Sequence, residues 1–418
     1  MSNMLRPGLF ATVVFVSIAA AQTPPTPRPL GRVRATSTEA LASVSQVRGL
    51  PGGRLIVNDV TGRRVLLFDS TLKVVTVIAD STGTTANAYG SRLGGLIAYR
   101  GDSTLFVDPA SLSMLMIDAN GAIRRTLAAP RPSDIQNLIG GPFGTPGFDS
   151  QGRLVYRIGI RAQRRPPPAD GSLPTPPPLP DSALVVRVDL ASRKLDTVVT
   201  FGIPKIRFSL FTIQIGDHTG TGASSVVNPV PWTDDWALLS DGTIAIVRGR
   251  EYRVDFIDGT DKLTSGPKLP FEWQRLTDDD KRAILDSTRT ELEKVVAARL
   301  AVRAAAAGTS ASSARGASPT VQAAAPPVAL VDADEIPDYR PAFRQGAARG
   351  DADGNLWIRT SKIVNGAAEY DVIDNKGTLV DRVLVPPGRV IAGFGPGGTV
   401  YMGVVDGSIT RLERATVH

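Results

Sequence analysis

The sequence predicts an all-β fold: a six-bladed β-propeller whose last blade is closed by an N-terminal strand, with one helical insertion. Three observations predict it. A Gly-containing turn followed at once by an apolar run recurs along the chain. A second landmark, an apolar run ending in Asp, recurs between those turns. The last copy runs out of chain one strand short, and an unassigned strand near the N-terminus supplies the difference.

The first landmark reads "PGGRLIVN" (51–58), "GDSTLFVD" (101–108), "DSQGRLVYRI" (149–158), "SDGTIAIV" (240–247), "DADGNLWIR" (351–359) and "GPGGTVYMGV" (395–404). Glycine supplies the positive φ that tight hairpin turns need. The second reads "VLLFDSTLK", "LMIDANGAI", "VVRVDLASRK", "VDFIDGTDK" and "YDVIDNKGTL". An Asp side chain hydrogen-bonds the backbone just ahead of it and starts a turn into the next strand. Together the landmarks define a four-stranded antiparallel unit, and short strands with turn signals at regular spacing mean an all-β protein. Five full copies centre on Asp69, Asp118, Asp189, Asp258 and Asp374. A sixth begins at Val390 and ends in "SITRLER"; "GRVRATS" (31–37) is the strand left to complete it. A ring closed in this way has no unpaired blade edge.

Runs such as "LIV", "VLLF", "LFV" and "MLMI" are continuous, whereas a strand with one wet face would alternate. Both faces are therefore covered, as in a blade between two neighbours. The rival is a seven-bladed ring with a degenerate copy in 203–235.

The chain has 418 residues, 42% hydrophobic and 21% charged, within the range of globular proteins. Residues 1–21 read as a signal peptide. Arg6 gives the positive n-region, "LFATVVFVSIAAA" the apolar core, and Ala19 and Ala21 the small-residue cleavage pattern. That core is shorter than the roughly 20 residues a spanning helix needs. The expectation is a secreted, periplasmic or extracellular protein with no transmembrane segment after cleavage. There is no cysteine, hence no disulfide, thiolate nucleophile or zinc–thiolate site. Residues 22–30 form a Pro-rich leader, and the propeller occupies 31–412.

The formal charge is +7, without a dense Lys/Arg block or basic–aromatic pattern, so nucleic acid is not the expected partner. The expected partner is a protein, peptide or envelope glycan, met by a monomer acting as a non-catalytic binding scaffold.

With strands a to d in each blade, excess length falls in b–c and d–a connections, which share one face. A Pro-rich loop fills 161–181, with Arg161, Arg164 and Arg165 beside it. The 203–236 connection carries Arg207, His218, Trp232, Asp234 and Asp235. The 276–330 insertion carries a helix and a tract of disorder-promoting composition. Thr277 is the N-cap, Ile284, Leu285, Leu292, Val296 and Leu300 form the apolar stripe, and Gly308 marks the end. Loops held on a rigid scaffold are where binding residues concentrate, so this decorated face is the expected site. Drift or a protective cap would lengthen the same loops.

Candidate ligand-binding residues are Arg207, His218, Trp232, Asp234, Asp235, Tyr339 and Arg340. His218 and the terminal His418 are the two histidines, too few for a His-rich metal centre. Asp234 and Asp235 offer paired carboxylates for a hard cation or a shared proton. A turn with Trp236 in the core is the plainer reading. Tyr339 and Arg340 offer a ring and an anion fork, or a rigid hinge between Pro337 and Pro341. No catalytic residue, metal ligand or cofactor is assigned. No G-x-S-x-G elbow or P-loop occurs.

"DADGNLWIR", "DSQGRLVYR" and "LSDGTIAIV" resemble the Asp-x-x-Gly-x-Leu-apolar signature of NHL-repeat and gluconolactonase-like six-bladed propellers. The resemblance covers nearly all of 38–412 and speaks to fold more than function. It implies an alternative activity, a metal-dependent lactonase or hydrolase using channel carboxylates such as Asp234 and Asp235, with Ca²⁺ a possible ion. Members hold the metal with a Glu, Asn and Asp set. Here Glu39 and Asn58 are not at diagnostic spacing, and Asn137 and Asn228 fall in loops, so no set is assigned.

Overall fold

The computed structural model describes residues 24–159, 179–215, 218–310 and 327–417. The signal segment 1–21, most of the Pro-rich loop 161–181 with its three arginines, and most of the tract after the helix lie outside the described residues.

The chain is nearly all β. After β1 (Arg28–Pro29) and β2 (Val33–Thr36) come four-stranded antiparallel meanders, each strand pairing with the next. The first sheet is β3 (Gln46–Gly49), β4 (Leu55–Asp59), β5 (Arg64–Phe68) and β6 (Val75–Ala79). The second is β7 (Gly95–Ala98), β8 (Thr104–Asp108), β9 (Ser113–Ile117) and β10 (Ile123–Ala128). The third is β11 (Gly147–Phe148), β12 (Leu154–Gly159), β13 (Ser182–Val188) and β14 (Leu195–Gly202). A hairpin, β15 (Arg207–Ile215) and β16 (His218–Val227), precedes the fourth sheet: β17 (Asp235–Leu238), β18 (Ile244–Arg248), β19 (Arg253–Ile257) and β20 (Leu263–Lys268). Helix α1 (Asp278–Ser310) and β21 (Ala329–Leu330) follow, β21 lying parallel to β16. The fifth sheet is β22 (Phe343–Gly350), β23 (Leu356–Val364), β24 (Ala367–Ile373) and β25 (Leu379–Val385), with β1 added in parallel to β25. The sixth is β26 (Arg389–Gly395), β27 (Thr399–Asp406) and β28 (Ile409–Thr416), and β2 is its fourth strand, antiparallel to β28.

The local causes are those of the repeat. Every residue of β4 and of β8 is buried, as continuous apolar runs require of strands covered on both faces. Each Asp closing a third strand accepts backbone N–H groups of the turn it starts: Asp69 from Lys73 and Val74, Asp118 from Asn120 and Ala122, Asp189 from Ala191 and Ser192, Asp258 from Thr260 and Lys262, Asp374 from Lys376 and Thr378.

Apolar cores lie between consecutive sheets. Tyr89, Ile56 and Phe106 join the first and second; Leu105, Leu154 and Tyr156 the second and third; Val185, Trp236 and Ile246 the third and fourth. Tyr252, Phe343 and Leu356 join the fourth and fifth; Trp357, Val383 and Met402 the fifth and sixth; Leu66, Phe68, Tyr401 and Leu412 the sixth and first.

β15 and β16 pair with each other and β21 lies at the edge, so among the described residues 203–235 holds two paired strands and no four-stranded copy. The helix starts as its cap predicts, Thr277 Oγ1 accepting from Asp280 N at 3.2 Å while Asp280 Oδ2 accepts from Thr277 N at 2.8 Å. It runs past Gly308 to Ser310. A lone Gly costs a helix only about 1 kcal/mol, and the four alanines before it are strong helix formers. Ile284 and Leu285 pack on a satellite cluster of Val230, Leu276, Val331 and Ile336, which ties the first turns of α1 to the 203–236 connection and to the segment after β21.

Candidate functional site

The sequence-predicted residues divide between places. Arg207, Trp232 and Asp234 line one cavity of about 570 Å³ on the decorated face, with Asn228, Arg248 and Arg253. Most of its charge is already matched. Arg207 pairs with Glu335 at 2.6 Å. Asp234 accepts from Arg248 Nη1 at 3.0 Å and from the N–H groups of Gly202 and Gly249. The Trp232 ring stands 5.8 Å from that of Trp273.

Asp235 does not join Asp234, which corrects the expectation of a carboxylate pair. Successive side chains of a strand point to opposite faces, and β17 begins at Asp235. Asp235 is wholly buried and accepts from Ala348 N of the fifth sheet at 2.9 Å. Desolvation raises its carboxyl to about 7, opposed by those N–H bonds and by Arg157. Trp236 is fully buried, as the plainer reading held. His218 opens β16 opposite Ile215; its side chain lies outside the described residues. Tyr339 bridges to Arg275, and Arg340 donates to Gln274 at 2.8 Å. The two sit at the base of the insertion.

The larger cavity, about 790 Å³, lies where the first strands of all the meanders face one another, β3, β7, β11, β17, β22 and β26. It reaches the face of the short a–b turns, where Arg100, Asp149, Ser240 and Asp351 line it. Val60, Leu93 and Gly94 line it from the decorated side, as does the connection between the second and third sheets. Its residues 139–144 touch four other elements. A Cβ on Gly95 of β7 would meet Ile139 Cα at 2.5 Å, and one on Gly140 would meet Gln46 Nε2. Phe143 O accepts from Trp236 Nε1 of β17 at 2.8 Å. A Cβ on Gly346 of β22 would meet Pro142 at 3.3 Å. Gly144 itself has φ +85 and packs so close to the Trp236 indole that a Cβ would lie 2.4 Å from it. The connector thus packs against strands of four different sheets at the cavity wall.

The cavity lining is mostly apolar, with Leu96, Phe148, Leu238 and Phe394, and its free charge is basic. Arg48 makes no hydrogen bond or ion pair among the described residues, and its Nε is buried without a partner. Arg349 donates to Ile391 O at 2.8 Å and makes no ion pair among the described residues, although the charge of Asp235 acts on it as that of Asp102 acts on Arg48. Desolvation lowers both guanidinium pKa values. Both stay charged, because arginine is not deprotonated in proteins. The cavity's carboxylates are engaged elsewhere. Asp149 pairs with Arg153 and Arg187; Asp351 accepts from Asp353 N, Asn355 and Trp357 Nε1.

Sequence reasoning passed over these arginines. Their signal was available: "QVRG" (46–49), "AYRG" (98–101) and "AARG" (347–350) each put Arg-Gly just ahead of an a–b turn.

Glu39 and Asn58, the residues nearest in type to the set the resemblance implies, are committed to protein partners. Among the described residues no three His, Cys, Asp or Glu side chains come together to hold an ion. Asn58 is spent on Tyr89 and Gly94 O, and Glu39 on Arg64. No described helix is long and apolar enough to cross a membrane.

No known protein family and no curated protein matches the sequence. Solved structures similar to the chain include a gluconolactonase from Xanthomonas campestris, 12% identical, covering 96% of this chain and 99% of that one, with a TM-score of 0.38. A calcium-binding protein, regucalcin, from Agrobacterium tumefaciens is 11% identical over 93% and 96%, TM-score 0.40. Virginiamycin B lyase from Staphylococcus aureus is 11% identical over 90% and 96%, TM-score 0.37. At such TM-scores the likeness carries no argument about chemistry.

Proposed function

We propose that the chain is a closed six-bladed β-propeller that binds a small molecule in its axial cavity, working outside the cytoplasm where the signal peptide expected at 1–21 would direct it. The ring reading rests on the six meanders, the inter-sheet cores, and the pairing of β2 with β28. The observation that carries the binding reading is the axial cavity. At about 790 Å³ it falls within the 300–1,000 Å³ usual for small-molecule sites, and it combines apolar walls with a few polar groups. The decorated-face cavity, by contrast, has most of its charges paired internally. A gluconolactonase-like hydrolysis would need a Glu, Asn and Asp set, and Glu39 and Asn58 are committed to Arg64, Tyr89 and Gly94.

The test is native mass spectrometry of the protein against a mixed library of metabolites and lactones, alongside Ala98→Trp. Ala98 is solvent-exposed on β7 and lines the cavity, so an indole there fills the space without disturbing a core. Ligands retained by the wild type and lost by Ala98→Trp are expected. Ligands retained equally by both proteins would refute the axial site.

A further inference from the structure

Arg48 and Arg349 occupy the same place in the repeat. Arg48 of β3 lies opposite Ile56, and Arg349 of β22 opposite Trp357, each the second residue of its strand-b apolar run. The strand between them is β26, adjoining β3 on one side and receiving the Arg349 hydrogen bond on the other. At the matching register β26 carries Gly393, opposite Tyr401. Two guanidiniums on alternate sheets thus flank a position with no side chain, on the wall of one cavity.

A buried guanidinium donor without an acceptor is costly, and native proteins leave few such groups. Here the Arg48 Nε is unsatisfied, and among the described residues neither side chain forms an ion pair, Asp102 acting on Arg48 and Asp235 on Arg349 through charge without a direct contact. The planar fork of arginine matches carboxylate and phosphate oxygens, which supply the acceptors it lacks. Leu96, Phe148, Leu238 and Phe394 give the rest of the cavity an apolar wall. We infer that the axial cavity is an oxyanion site, taking a small organic acid whose carboxylate or phosphate is held by Arg48 and Arg349 and whose body is apolar. This rests on the axial-cavity reading above and names the ligand class. Octanoate and octyl phosphate share that chemistry, and comparing the two tells which head group the fork prefers.

Titration calorimetry of octanoate, octyl phosphate and octanol against the wild type, Arg48→Met, Arg349→Met and Ala98→Trp tests it. Methionine keeps much of the length and removes the charge. At least one of the two anions is expected to bind, at least 10-fold tighter than octanol. That binding weakens at least 10-fold in each methionine variant, disappears in Ala98→Trp, and weakens with added salt. Arg48→Met also removes the unsatisfied donor, so its ligand-free Tm is expected to equal or exceed that of the wild type, which keeps the test valid for a folded protein. Octanol binding as tightly as both anions, unchanged by Arg48→Met, would overturn the oxyanion site and leave the cavity. Anion binding unchanged by Ala98→Trp would overturn the cavity as well.

Discussion

Tyr252 and Asp371 meet across the seam between the fourth and fifth sheets, the phenol donating to Asp371 Oδ2 at 2.6 Å. Arg382 Nε binds the other carboxylate oxygen at 3.0 Å and its Nη2 reaches Pro270 O at 2.6 Å. All three side chains are buried. Burial, then Asp371, pushes the Tyr252 hydroxyl well above its usual range, so the proton stays on the phenol. Tyr252→Phe is expected to cost about 1–2 kcal/mol, one hydrogen bond to a charged group. Asp371→Ala strands a buried guanidinium and is expected to cost about 3–5 kcal/mol. Urea denaturation of the singles and the double reads this: the double costs less than the sum, because the residues form one network.

Asp235 makes stability depend on pH in a direction unusual for a carboxylate. Burial raises its folded value to about 7, so the folded state holds the proton more tightly than the unfolded chain does. Its contribution is complete below about pH 4 and is lost as pH rises toward 7, at up to roughly 1.4 kcal/mol per unit. Asp235→Asn keeps an acceptor for Ala348 N and removes the titration. The stability difference between variant and wild type is expected to grow in favour of the variant from pH 4 to 7. A flat difference would show that Asp235 is charged throughout.

The turn aspartates act in the opposite sense. Hydrogen bonds from Thr71 to Asp69, Ala122 N to Asp118, Ser192 N to Asp189 and Thr260 to Asp258 hold these carboxyls below their usual range. Their contribution is present above the unfolded value near 4 and is lost as pH falls through the lower folded values. Replacing Asp118 and Asp189 by Asn is expected to lessen the fall in Tm on acidification, as followed by circular dichroism from pH 5 downward.

The N-terminal segment holds two sheets. Arg28 on β1 pairs with Asp381 of the fifth sheet at 2.5 Å and donates to Val417 O next to the sixth. The ion pair is partly exposed and contributes little alone. Deleting 24–31 removes β1 and keeps β2, and is expected to lower Tm by only a few degrees. Deleting 24–36 strips the sixth sheet of its outer strand and leaves the β28 edge open. Hydrogen exchange is expected to show the β28 amides that face β2 protected in the first deletion and exchanging freely in the second, while those that face β27 stay protected in both.

Interactions that are local in sequence could be read from it. Asp118 and Asp374 announce their turns because their partners lie within four residues. Trp236 was legible as core, and β2 as the missing strand, because a meander one strand short demands one. The separation of Asp234 from Asp235 follows from strand periodicity, but only once Asp235 is known to lie inside the strand. The packing of the connector at 139–144 was not legible, since nothing local distinguishes a loop that touches four sheets from one that touches only its neighbours. Arg48 and Arg349 needed the register of strands a and b before their equivalence could be seen.

Ser37 accepts from Leu412 N at 2.9 Å, across 375 positions of chain. A ribosome therefore releases β2 long before its partner exists, and the sheet that joins the ends is the last to assemble. Until β28 emerges, β2 must be kept from pairing with the wrong neighbour. Its brevity, four residues of which three are exposed, suits a strand that has to wait.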